Sequence, residues 1–233
     1  MGLLDGLRAR KAMMQHQKGH PEAARPEYER LYAEGYLSAA YMLPYAVILL
    51  REGGEENYRK VKEILKKAEK APDLTPDKRR ELIMDYAVAQ YKLGEMDKAL
   101  SLLEASHRKS PCGITYQALG FLYIEAGDRE KALSYNLEAL EYDDEDPVVL
   151  DNLGQTYYRL LNDKETARQY FEKAIEIKDN QIDTLYFLSR YDLEAGDKKA
   201  ALEKLRKAAG GRFSPLNYAT REMVEKEIAA LEA

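Results

Sequence analysis

The sequence predicts an all-α chain, an α-solenoid of stacked antiparallel helix pairs, and three observations lead there. Small residues recur at one step: Ala87, Gly120, Gly154 and Ser189 are 33, 34 and 35 residues apart, and Ala99, Ala132, Ala167 and Ala201 are 33, 35 and 34 apart. Ser106, Ala139, Ala174 and Ala208 keep the same step. A period of about 34 residues matches one helix–turn–helix unit. The turns inside the units are marked by Gly94-Glu95, Gly127-Asp128 and Gly196-Asp197, where glycine ends one helix in the left-handed conformation and the acid starts the next. The third observation is composition: 233 residues, 45% hydrophobic and 33% charged, suit a chain with a sizeable core that is neither disordered nor collagenous.

In chain order, Ala12, Gly19, Ala24, Tyr28 and Leu31 suggest a first degenerate unit. Pro44 is expected to kink or shorten the next helix, since proline removes a backbone hydrogen bond. Ala46, Val61 and Ala68 fit a second unit if the turn REGGEENYRK is longer than the others. From Arg80 to Ala208 the units are regular, with bulky flanks at Leu119, Tyr123, Leu153 and Tyr157 in first helices and Leu133, Leu137 and Leu140 in a second helix. The unit around Gly154 lacks the turn glycine and has Asn162-Asp163, one residue longer; asparagine is the next-best left-handed residue. Ser110-Pro111 reads as N-cap and first helical residue, placing Cys112 just inside a helix. Ser214-Pro215 is expected to begin a last helix through REMVEKEIAALE, a charged cap. The division is one solenoid over 1–233: degenerate units over 1–79, well-matched units over 80–208, and a capping helix over 214–232.

These spaced small residues, with Tyr123, Tyr157 and Phe171 at aromatic positions, resemble the tetratricopeptide repeat family. The resemblance implies a right-handed superhelix that works as a non-enzymatic protein–protein interaction module, taking a peptide or protein segment in a concave groove. The alternative is a self-associating scaffold, a homo-oligomer, with no dedicated peptide ligand. The lysine and asparagine clamp of chaperone-binding members is absent; Asn152 alone is suggestive.

Composition and motifs narrow the rest. A net charge of −5 argues against a nucleic-acid partner. The stretch Arg59–Arg80 holds nine bases against four acids and 128–146 eight acids against two bases, both read as solvated helix faces. The longest apolar run, YMLPYAVILL, is half the ~20 residues that cross a bilayer, so no membrane insertion is expected and the location is expected to be cytoplasmic. One cysteine excludes an internal disulfide. His16 and His20 share an i, i+4 spacing, but Gly19 and Pro21 should end their helix, so no metal or other cofactor is expected. Cys112 reads as a small apolar side chain without a nearby base. No phosphate loop, paired zinc ligands or nucleophile elbow is present, and no enzyme activity is expected.

A stack of helix pairs leaves a concave surface for binding; the resemblance to the tetratricopeptide family implies that the first helix of each pair lines it, and steps of three and four residues from the small positions give the lining. The candidate groove residues are Tyr91, Gln117, Phe121, Asp151, Asn152, Gln155, Tyr158, Tyr186 and Arg190. Their mixture suits a peptide: aromatics give contact area, and the amides and Arg190 could hold a backbone or carboxylate. About half of the aromatics are expected to pack on the neighbouring unit instead. The segment LLDGLRARKAMM is amphipathic enough to pack on a partner or on the chain itself.

Overall fold

The computed structural model describes residues 3–232. Among the described residues there are thirteen α-helices and no strand. They are α1 (Leu3–Gln17), α2 (Pro21–Ala33), α3 (Ala39–Glu52), α4 (Glu55–Ala68), α5 (Pro76–Lys92) and α6 (Met96–Lys109). Then follow α7 (Gly113–Glu125), α8 (Arg129–Tyr142), α9 (Pro147–Gln155), α10 (Lys164–Ile177), α11 (Ile182–Glu194), α12 (Lys198–Ala209) and α13 (Arg221–Glu232). A π-helical segment, Thr156–Leu161, extends α9. The chain divides into two compact units, Met1–Ser106 and His107–Ala233.

In the first unit α1 packs on α2, α3 on α4, and α4 on α5. Its core gathers Tyr28, Tyr41 and Tyr45, with ring centroids 5.9 and 6.2 Å from Tyr28, around Leu31, Leu49, Ile64 and Leu65. Pro44 does not shorten α3, which runs unbroken through it; the cost of the missing donor is met by burial of the tyrosines and leucines on either side. The longer turn before α4 is made by Gly53 and Gly54, both at positive φ, where a side chain would be strained. Ser38 does not cap α3 with its own side chain. Asp73, from the turn after α4, accepts the first N–H groups of α3 from Ala39 (2.7 Å) and Ala40 (3.0 Å), and the Ser38 hydroxyl at 2.9 Å. Burial raises its pKa, but these donors outweigh that and hold the carboxyl below its ordinary range.

The second unit pairs α7 with α8, α9 with α10 and α11 with α12. The small residues mark where paired helices touch. Ala132, Ala139, Ala167, Ala174, Ala201 and Ala208 are fully buried. A Cβ on Gly154 would lie 2.5 Å from the Phe171 ring, and one on Gly120 would lie 2.0 Å from Asn136 Oδ1. Asn136 stands one period before Phe171, in the place of a core side chain. Its Nδ2 donates to the carbonyl oxygens of Ala132 (2.8 Å) and Gly120 (3.3 Å) and to Thr156 Oγ1 (3.4 Å), binding its helix to two neighbours. Leu137, expected as a packing flank, is exposed, because Asn136 takes the inward position beside it.

The extra residue in the α9–α10 pair is absorbed by the π-helical segment, whose wider turns admit one more residue without breaking the helix. Asn162 then closes it at φ 56°, the left-handed place that glycine fills in the other turns. Two helix starts differ from the sequence reading. Helix α7 begins at Gly113, because Cys112 serves as N-cap, its N–H meeting Thr115 Oγ1 at 3.3 Å. Helix α13 begins at Arg221, because Ser214 and Asn217 bond to each other in a tight turn and Thr220 Oγ1 accepts the Met223 N–H at 3.1 Å.

Gly154→Ala is expected to destabilise the protein by about 1–3 kcal/mol through overpacking against Phe171, although alanine is intrinsically the better helix former by roughly 1 kcal/mol. Urea unfolding followed by circular dichroism checks this, and an unchanged or raised midpoint would contradict the close approach.

Candidate functional site

The first helices of the second unit, α7, α9 and α11, bring most of the expected groove residues to one face. Their side chains are engaged with each other. Asp151, 5% exposed, accepts Gln155 Nε2 at 2.8 Å and the Thr184 hydroxyl at 2.6 Å, so α9 is bonded to α11. Asn152 Nδ2 donates to the Gln117 carbonyl at 2.9 Å, bonding α9 to α7. Gln117 Nε2 reaches Asp146 Oδ2 at 2.6 Å, and Asp146 in turn accepts the Val148 and Val149 N–H groups at the start of α9.

Arg159 completes this network. It lies on the π-helical segment, donates to Gln155 Oε1 at 3.0 Å, pairs with Glu125 at 2.7 Å, and stacks over the Tyr218 ring at 4.0 Å. Counting by α-helical steps from Gly154 misses it, because the wider π turn rotates the residues beyond Gln155 out of phase. The signal was in the sequence: the 35-residue step from Ala132 to Ala167 with no turn glycine marks an inserted residue.

Five candidates are therefore buried rather than open to a ligand: Phe121, Asp151, Asn152, Gln155 and Tyr186. Asp151 and Asn152 are bonded to α11 and α7, and Gln155 to Asp151 and Arg159 along its own helix; the sequence pattern cannot distinguish a polar group facing solvent from one facing a neighbouring helix. Tyr186 packs on Phe187 and Tyr218, with centroids 5.6 and 6.1 Å away. Gln117, Tyr158 and Arg190 are half-buried. Tyr158 lies edge-on to Tyr191 and 5.0 Å from Phe187; Arg190 donates to Glu227 at 2.6 Å and lies 5.6 Å from the Tyr186 ring. Tyr91 belongs to the first unit and is half-buried beside Lys92.

Asp183 sits at the start of α11 and is buried. It accepts the N–H groups of Tyr218 and Ala219, each at 2.9 Å, and Asn217 Nδ2 at 3.1 Å, fixing the turn before α13. Burial, and then the neighbouring Asp183 carboxylate, push Asp151 up to about 7. Asp183 is also raised, by burial, with its three donors and Arg159 opposing. In the first unit burial and nearby Glu81 likewise raise Asp85 to about 7, opposed by Arg51.

Elsewhere, α1 ends at Gln17 and His20 lies beyond Gly19 at φ 90°, so His16 and His20 do not share a helix face. Cys112 is half-buried, its Sγ 3.6 Å from Thr115 Oγ1. No cluster of three metal-binding side chains occurs among the described residues. No helix among them is long and apolar enough to cross a membrane.

Among the described residues, helices adjacent in sequence pack on one another within each unit, and in the second unit buried small residues stand at the same phase of successive pairs, the arrangement of a helical-repeat protein. The tetratricopeptide repeat family matches at residues 115–146 and 149–181, so these two segments are tetratricopeptide repeats, as the spaced small residues imply. Solved structures agree on the fold. In the Cut9–Hcn1 hetero-tetramer of the APC/C, the similarity has a TM-score of 0.66 at 17% identity, covering 94% of this chain and 41% of that one. The C-terminal part of a tetratricopeptide repeat-containing protein from Cytophaga hutchinsonii matches with a TM-score of 0.58 at 20% identity, over 86% of this chain and 77% of that one. YrrB, described as a tetratricopeptide protein with an unusual peptide-binding site, matches at 0.52 and 20% identity, over 76% and 88%. At such identities the likeness concerns the fold alone. No curated protein sequence matches the chain.

Asp151 gives the site a pH signature. Its folded pKa lies above the ordinary 3.8, so between 3.8 and about 7 the folded state holds more protons than the unfolded chain. Its contribution therefore favours folding most at low pH and is lost as pH rises to about 7. The melting temperature of Asp151→Asn relative to the native protein is expected to rise across that window and level off above it. A pH-independent difference would contradict the buried, charge-opposed carboxylate.

Proposed function

We propose that the chain is a non-enzymatic protein–protein interaction module that takes an extended peptide or protein segment on the face formed by α9, its π-helical extension and α11. The observation that carries this reading is the pairing of half-buried guanidinium groups with aromatic rings there. Arg159 lies over Tyr218 and Arg190 beside Tyr186, next to the half-buried ring of Tyr158. Arginine and tyrosine in partly desolvated positions are the side chains that concentrate binding energy. Both arginines are paired with carboxylates of the chain itself, Glu125 and Glu227, and a carboxylate on a partner could replace either. The binding role narrows from the nine expected residues to Tyr158, Arg190 and Gln117, with Arg159 added; Asp151, Asn152 and Gln155 support the face from behind. YrrB, with its peptide-binding site on a similar fold, is consistent with this use.

A second reading, a self-associating scaffold, is favoured by a separate observation: Leu4, Leu7 and Met14 are exposed along α1.

Selection from a random peptide library on the purified protein, followed by titration of the selected peptide, tests the first reading. The account expects Tyr158→Ala/Arg190→Ala to weaken binding at least about tenfold, the loss of one or two interface anchors, while the fold is retained. A peptide held equally well by the double variant would remove the face from consideration.

A further inference from the structure

We infer that the chain associates with a second copy of itself, the basic apolar stripe of α1 in one copy docking on the acidic end of α8 around Tyr142 in the other. Among the described residues seven large apolar side chains are exposed, and six of them lie on α1 or on α7 and α8. Leu4, Leu7 and Met14, 53–73% exposed, lie on α1; Ile114, Leu137 and Tyr142 lie on α7 and α8. The Tyr142 ring rests 4.8 Å from Tyr116, so the end of α8 lies against the start of α7.

The two groups carry opposite charge. Residues 4, 7, 11, 14 and 18 are spaced three and four apart, which keeps them on one helix face. That face bears Lys11 and Lys18, with Arg10 beside it; all three are exposed, and none forms an ion pair among the described residues. Arg8, on the inner side of the same helix, is paired with Glu27 and Glu34, so the chain's own acids are spent where α1 meets α2. Around Tyr142 the charges are Glu141, Asp143, Asp144 and Glu145, all exposed and without a basic partner among the described residues. Beside the α1 stripe an open groove of about 760 Å³, lined by Leu7, Arg10, Met13, Tyr36, Leu37 and Pro72 among others, could receive a protruding aromatic ring.

Each patch joins exposed apolar surface to uncompensated charge, and each supplies what the other lacks. Two different patches on one chain let each copy engage another, reciprocally in a two-fold pair or successively from copy to copy. The inference deepens the second reading above and does not depend on the α9–α11 face.

A charge swap tests it. Light scattering after size exclusion, across a concentration series, is applied to the native protein, to Arg10→Glu/Lys11→Glu/Lys18→Glu and to Glu141→Lys/Asp144→Lys/Glu145→Lys. Every altered residue is exposed, and circular dichroism confirms that the variants fold. The native mass is expected to rise with concentration and to fall towards the monomer at about 1 M salt, where charge is screened beyond about 3 Å. Each variant alone is expected to associate at least tenfold more weakly, and a one-to-one mixture to regain the native behaviour, because reversed patches complement each other.

A native protein that stays monomeric at every concentration overturns the inference. So does an oligomer that the α8 reversal leaves intact, which would mean α1 pairs with α1, and so does a mixture that fails to reassemble. If native protein is monomeric but sediments with phosphatidylserine vesicles, and the α1 reversal abolishes this, the stripe serves an anionic lipid surface instead. The variant Tyr158→Ala/Arg190→Ala is expected to keep the native mass; if it dissociates the oligomer, the second copy occupies the α9–α11 face and the docking assigned to α1 is wrong.

Discussion

Close approach of paired helices at a missing side chain is the constraint on which the second unit depends. Where Gly154 faces Phe171 and Gly120 faces Asn136, no Cβ fits, and the two helices of a pair meet over backbone. Glycine in a helix gives up about 1 kcal/mol relative to alanine, so its return at a fixed phase is intelligible only through what it admits. At Gly154 it admits an aromatic ring that also stacks on Phe187 of α11, with centroids 5.0 Å apart and planes 7° apart. At Gly120 it admits an amide that ties three segments together. The same geometric device thus serves an apolar joint and a polar one.

The small-residue series made the fold legible because close packing leaves its mark on residue size, and size is written directly in sequence. Asn162 was legible for a related reason: few residues other than glycine settle in the left-handed region. What was not legible has a physical cause in each case. Pro44 within α3 depends on tertiary burial that outweighs a local preference. Cys112 and Thr220 as helix N-caps depend on hydrogen bonds that compete with the serine–proline signals nearby. The inner-face polar residues Asp151, Asn152 and Gln155 match the composition of a ligand groove, yet Asp151 and Asn152 bond to neighbouring helices and Gln155 to Asp151 and Arg159, because helical phase says which residues share a face but not what faces them.

This last point changes what the inner face does. A row of satisfied polar groups fixes the spacing of α7, α9 and α11 and so sets where the half-buried Tyr158, Arg159 and Arg190 stand. Under the proposed function, recognition falls to the edge of the network, where a π-helical insertion has placed Arg159 over Tyr218. Binding elements placed on rigid helices and held by hydrogen-bonded neighbours lose little freedom when a partner arrives. The buried carboxylates Asp151 and Asp183 are the cost of that rigidity, since each is raised from its ordinary pKa by leaving water.

The central claim is that the inner-face side chains Asp151 and Asn152 bond one helix pair to the next within the second unit. A double-mutant cycle between Asp151→Asn and Thr184→Val, read by urea unfolding, tests it most directly. Residues sharing one buried hydrogen bond couple by about 0.5–3 kcal/mol, and the account predicts a value in that range. Effects that add to within about 0.3 kcal/mol would show that the 2.6 Å bond between α9 and α11 carries no weight, returning Asp151 to the set of residues available to a ligand.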